Sequence, residues 1–256
     1  MLNRRHIRIK VMQSVYALLQ SKNNDLANEE KFLNLSIRKI EELYVLMLSL
    51  LIEVRQLAQE HIELGKKKHL ATSEDKNPNR KFVENKVLKQ LIDSPFIRNY
   101  VANHKLNNWK DHTEYVRMIW NEIKASKHYK NYIDSEELSF NDDKEFILVI
   151  YKEIIAPNDK LFDYLESENI SWVDDIPLIN TFIVKKITGL GKGKTLNRSL
   201  LFKDEDDEHF VSDLFRKTAL HHTEFTDVIN YKTPNWVADR IAEIDLILIK
   251  MALTEF

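Results

Sequence analysis

Four glycines and five prolines are all the punctuation available to this chain of 256 residues, and that scarcity constrains the fold more than any motif does. The two residues together make up roughly 12% of an ordinary chain. Tight strand turns need glycine for positive φ and proline for a preset φ, so a protein of many short strands cannot be assembled from so few of them. An all-α, multi-helix bundle follows. Hydrophobic residues at 43% supply a substantial core for one large or two modest domains. Cysteine is absent, which excludes disulfides and thiolate metal sites and fits a reducing, cytoplasmic compartment. The densest apolar run, Leu43 to Ile52, is bracketed by Glu41, Glu42, Glu53 and Arg55. It is far shorter than the roughly 20 residues that cross a bilayer.

Periodicity divides the chain into three parts. Residues 1–64 read as the N-terminal helices, the longest running from about Glu29 to Leu64 with Phe32, Leu35, Ile40, Leu43, Met47, Leu50, Leu51 and Val54 on its apolar positions. Residues 65–135 read as an insertion. It opens with a mobile loop over 65–79, too polar to order itself, and continues with modestly packed helices. Residues 136–256 form a second helical part, in which Asn141 or Asp142 caps a strong helix and Pro157 ends or bends it. Ser171-Trp172 and Asn235-Trp236 each introduce a further apolar segment.

Within this all-helical frame, RRHIRIKVMQSVYALL over residues 4–19 is the most informative stretch. At 100° per residue, Ile7, Val11, Val15 and Leu18 share one narrow arc, flanked by Met12 and Leu19. Arg5, Ile9, Gln13, Tyr16 and Gln20 line the roughly opposite stripe. No acid precedes Asp25, so the first 24 residues carry a formal +5, which against the whole-chain −2 leaves −7 on the remaining 232. A local cationic cluster attracts phosphate through a field that the chain-wide sum hides. Three other readings compete: a solvated basic helix, a targeting presequence and a secretory signal. Lys10, Gln13 and Ser14 interrupt the continuous apolar core that a secretory signal requires. A transit peptide shares the Arg-rich, acid-poor amphipathic character but is normally enriched in serine.

Other motifs dissolve on inspection. ITGLGKGKTL, Ile187 to Leu196, holds three of the four glycines, yet a phosphate-binding loop needs glycine five residues before Gly193-Lys194-Thr195, where Thr188 stands. KDEDDE, Lys203 to Glu208, lacks the alternation of a calcium loop and suits the start of a helix instead. Adjacent His221 and His222 point about 100° apart on a helix and cannot chelate as an i, i+4 pair does. No serine sits in a nucleophile elbow and the acids are not paired, so no catalytic residues and no cofactor or metal site are expected.

The order Arg4-Arg5-x-x-Arg8-x-x-Val11-Met12-Gln13-x-Val15-Tyr16 resembles the opening R-R-x-A-R-x-x-A-[LV]-Q-x-L-Y of the NusB family of transcription antitermination factors. Independently, the run from Arg240 to Phe256 is similar to that family's R-[LI]-x-x-[IV]-[DE]-x-x-[IL]-L-R-[IL]-A-x-Y-E-[LF], with Lys250 and Thr254 where arginine and tyrosine are common. Asp143 to Glu166 is similar to an intervening segment, with Phe146 and Asn158 to Asp163 in matching places. The likeness covers about half of the chain and suits a long form with a central insertion. The family normally continues with two more helices after the position of Phe256. A C-terminally truncated second bundle, with an exposed apolar stripe on 241–256, is therefore expected.

The resemblance implies a non-enzymatic RNA-binding factor of transcription regulation and ribosome biogenesis. It would bind the boxA-like element of a ribosomal RNA leader together with the small-subunit ribosomal protein NusE, within the transcription elongation complex and away from membranes. Arg4, Arg5 and Arg8 would contact phosphates or base edges, Gln13 and Tyr16 would share that face, and Asp245 would meet the ribosomal protein. Forked guanidinium donors suit phosphate, and an aromatic ring gives an unpaired base a stacking surface. A helical scaffold that binds only protein is the alternative. A related rRNA methyltransferase architecture is excluded because it needs a cysteine nucleophile.

Overall fold

The computed structural model describes residues 2–21, 25–70, 72–196, 201–234 and 241–256. Every regular element among them is helical. In chain order these are α1 (Arg4–Gln20), α2 (Leu26–Lys66), α3 (Ser73–Lys76), α4 (Lys81–Glu84), α5 (Lys86–Ile92), α6 (Pro95–His104), α7 (Asn108–Asp111), α8 (Thr113–Ala125) and α9 (Lys127–Asp134). They continue with α10 (Phe140–Ile150), α11 (Asp159–Glu168), α12 (Ile176–Thr188), α13 (Glu205–Leu220), α14 (His222–Lys232) and α15 (Glu243–Glu255). No described helix is long and apolar enough to cross a membrane. Compactness groups the chain differently from its linear order. Met1–Lys39 and Ser199–Phe256 form one unit, and Ile40–Arg198 forms the other.

In the first unit α1 packs against α13 and α15. Asn3 starts α1 by accepting a hydrogen bond from the His6 amide, 3.1 Å, which satisfies one of the donors a helix start leaves open. The core joins Ile7, Val11 and Val15 of α1 with Leu33 and Ile37 of α2, Val211, Leu214 and Phe215 of α13, and Ile247 and Met251 of α15. Phe32 and Leu35, expected inside, are exposed instead, and the buried positions here are Leu33 and Ile37. Near the start of a long helix, two offset apolar rows compete, and periodicity alone does not say which one meets a neighbour. The acidic run after Lys203 becomes the first turn of α13, capped by Asp204, where negative charge favours the helix dipole.

In the second unit the later part of α2 is the central rod, with Tyr44, Leu46, Leu48 and Leu50 fully buried. The 65–135 segment is built into this core. Phe82, Val87, Leu88, Leu91, Trp109, Ile119, Trp120 and Ile123 are all buried, so its packing is not modest. Its short apolar sets are spread over six small helices, each too brief to show a long period. The tract 65–79 holds the end of α2 and the single turn α3, where Thr72 and Asp75 cap each other reciprocally.

Side-chain caps tie these pieces together. Asn85 accepts from the amides of Val87 and Leu88 and donates to the Tyr132 hydroxyl and the Asp143 carbonyl. The Tyr132 hydroxyl donates to Asp143 Oδ1 at 2.6 Å, and the Lys86 amide donates to Asp143 Oδ2 at 3.0 Å. Ser139, not Asn141 or Asp142, caps α10, with Asp142 completing a reciprocal capping box. A π turn over Tyr151–Ile155 ends that rod before Pro157, and Asn158 caps α11. Residues 235–240, and with them Trp236 and Arg240, lie outside the described residues.

Candidate nucleic-acid interface

The amphipathic division of α1 is present as expected. Ile7, Val11 and Val15 are 0% exposed, whereas Ile9 is 39% and Tyr16 37% exposed on the other side. Arg5 stands about 20° from Tyr16 around the helix axis. It is exposed and makes no ion pair among the described residues. Gln13 lies on the same stripe, half-buried and engaged with a neighbour.

Arg4 and Arg8 turn toward a different boundary, one turn apart, flanking the half-buried ring of Phe210 on α13. Their guanidinium carbons lie 4.8 Å and 5.5 Å from its centroid. Arg4 Nε donates to Asp207 Oδ1 at 3.0 Å. Arg8 donates in a fork to Glu255, Nε to Oε1 at 2.6 Å and Nη2 to Oε2 at 2.5 Å. That hydrogen bond raises the Arg8 pKa, and the same bond holds the Glu255 carboxyl below its ordinary value. Gln20, at the far end of α1, donates to Glu243 at the start of α15.

The formal +5 of the first 24 residues is therefore not displayed as one cationic patch. Lys10 is buried and engaged, Lys22 falls outside the described residues, and Arg4 and Arg8 each face a carboxylate. Asp207, Phe210 and Glu255 escaped sequence reasoning because their partners lie some two hundred positions away in the chain. The only local hint was the i, i+4 spacing of Arg4 and Arg8, which puts both on one flank.

On α15, Asp245 is exposed in the first turn. Beside it Ile244 and Leu248, 45% and 48% exposed, form an apolar strip one turn apart, and Phe256 is fully exposed. The exposed stripe expected on 241–256 is thus present. The inward face carries Ile247, Met251 and, less obviously, Lys250. Lys250 is 2% exposed, and its ammonium lies 3.1 Å from Nδ1 of His222. Burial lowers the pKa of both groups, and the neighbouring Lys250 charge adds to the lowering at His222.

Among the described residues the arrangement offers one guanidinium without an ion pair, an amide and a half-exposed phenol along a helix stripe, with two more guanidinium groups held next to it, Arg8 by exposed Glu255 and Arg4 by buried Asp207. Among the described residues no group of three or more His, Asp or Glu is disposed to hold a metal ion. No protein family, curated protein or solved structure matches this chain.

Proposed function

We propose that this chain is a NusB-like RNA-binding module that grips a single-stranded, boxA-like segment of a ribosomal RNA leader on the outer stripe of α1. The observation that carries the reading is the pairing of Arg5 with Tyr16 on an exposed helix stripe whose reverse side is sealed into the core. Tyr16 stacks on an unpaired base, Arg5 holds the adjoining phosphate, and Gln13 contributes an amide to a base edge. Arg4 and Arg8 reinforce the grip by exchanging a carboxylate for phosphate. The Arg8–Glu255 pair is exposed and such pairs are worth only about 0–1 kcal/mol, so that exchange is cheap, whereas Asp207 is buried and releasing Arg4 from it costs more. On this reading the role lies in antitermination and ribosome biogenesis, with the ribosomal protein NusE as co-partner near Asp245 and no chemistry performed.

Ile244 and Leu248 beside Asp245 support a second reading, a scaffold that binds protein alone. Titration of a boxA-like RNA by filter binding over a range of salt separates the two. Arg5→Ala should weaken binding and lower the salt slope by about 0.7, one single-strand phosphate contact. Tyr16→Ala should cost about 1–3 kcal/mol with little change of slope. Unaltered affinity in both variants, or no binding by the parent protein, overturns the RNA reading in favour of the scaffold.

A further inference from the structure

A cavity of about 540 Å³ opens in the second unit, bounded by α2, the end of α5, α6 and the turn into α7. Its volume lies inside the range of about 300–1,000 Å³ typical of small-molecule sites. Ile52, Ile92, Ile97, Val101 and Ala102 make an aliphatic wall. Arg98, Lys105 and Lys110 stand around it, and none of the three takes part in an ion pair among the described residues.

Two features mark this as more than a surface dent. The first is Glu53, the one carboxylate in the lining, which is half-buried and has no hydrogen-bond partner among the described residues. Burial raises its pKa, and the Lys110 charge works against that rise. One carboxylate facing three cations leaves the lining cationic, in a chain whose net charge is −2. The second feature is backbone geometry. Lys105 ends α6 at φ 52, ψ 44, a left-handed position at which glycine is the usual residue, and Leu106 N closes onto Val101 O at 3.1 Å. A side chain other than glycine costs about 1–2 kcal/mol there. Despite that cost the position carries a lysine, at the cavity wall.

We propose that this cavity binds a single-chain aliphatic anion, its hydrocarbon chain along Ile52, Ile97 and Val101 and its acidic head group among Arg98, Lys105 and Lys110. Apolar burial supplies affinity and the three cations, which outnumber Glu53, choose the head group. The site shares no residue with the α1 stripe and does not depend on the RNA reading.

Isothermal titration of the full chain with dodecanoate and with dodecyl phosphate, both far below their micellar range, tests the proposal. Dodecyltrimethylammonium serves as the same chain with the opposite charge. Saturable 1:1 binding of at least one anion is expected, with the cation at least 10-fold weaker. Ala102→Trp, which fills the cavity from an exposed position, should weaken the anion at least 10-fold. The double substitution Arg98→Glu, Lys105→Glu, on exposed side chains, should do the same while leaving the thermal transition in place. Which anion wins identifies the head group as carboxylate or phosphate. Absence of saturable binding by both anions, equal binding of the cation, or undiminished binding in the folded double variant overturns the proposal.

Discussion

Ile7 and Ile9 stand two residues apart on α1, one 0% and the other 39% exposed, and truncating each to alanine tests the orientation on which the RNA reading depends. Removing three carbons from a fully buried side chain forfeits about 2.4 kcal/mol of transfer free energy, and the residual cavity brings the cost of Ile7→Ala to about 3–4 kcal/mol. At Ile9 only about 60% of that transfer is lost and no closed void forms. Alanine's better helix propensity returns about 0.5 kcal/mol at either position, leaving about 3 kcal/mol at Ile7 and about 1 kcal/mol at Ile9. The difference, about 2 kcal/mol, corresponds to roughly 30-fold in an opening equilibrium. Native-state hydrogen exchange of the α1 amides reads this directly and does not require the two units to unfold together. If Ile9→Ala opens α1 as readily as Ile7→Ala, the buried face has been misassigned. Arg5, Gln13 and Tyr16 could then not be the presented stripe.

Glu255→Gln frees Arg8 from its carboxylate and should tighten binding of a boxA-like RNA severalfold in filter binding, opposite in sign to Arg5→Ala; unchanged or weaker binding counts against Arg8 joining the grip. Lys250→Met replaces a 2% exposed ammonium by an apolar chain of similar length and should leave stability unchanged or raise it by about 1 kcal/mol in urea denaturation; a loss of more than 2 kcal/mol means that its contact with His222 outweighs the desolvation. His6 and His222 have folded pKa values below the ordinary histidine value and Glu255 below the ordinary glutamate value, so each contributes stability that is present above its unfolded pKa and lost as pH falls through its folded one. Thermal midpoints should therefore decline first below the usual histidine range and again below the usual carboxylate range. A His222→Gln chain that retains the full first decline refutes the assignment to that residue. Tyr132→Phe removes a 2.6 Å hydrogen bond to buried Asp143 and should cost about 1–3 kcal/mol, measured as the denaturation midpoint of the second unit.

How much of this was legible in advance depended on how local the physics was. The amphipathic split of α1 could be read because a helix period and a run of seventeen residues decide it by themselves. The acidic start of α13 was likewise readable, since Asp204 and the acids after it act on amides within one turn. Caps blurred by two or three residues: Ser139 won over Asn141 and Asp142 because reciprocal bonding with Asp142 needs a three-residue spacing that only Ser139 provides.

Scarcity of glycine and proline, together with helical periodicity, was enough to determine an all-helical protein with a two-sided first helix, because both are short-range backbone effects. Which cations remain available was settled only in three dimensions. Asp207, Phe210 and Glu255 come back from the far end of the chain to engage Arg4 and Arg8, leaving Arg5 without an ion-pair partner among the described residues. The same holds for the 65–135 segment, whose short apolar sets joined a common core with α2, and for the cavity between α2 and α6. Side-chain burial and charge pairing are properties of neighbours in space, and neighbours distant in sequence leave no periodic trace.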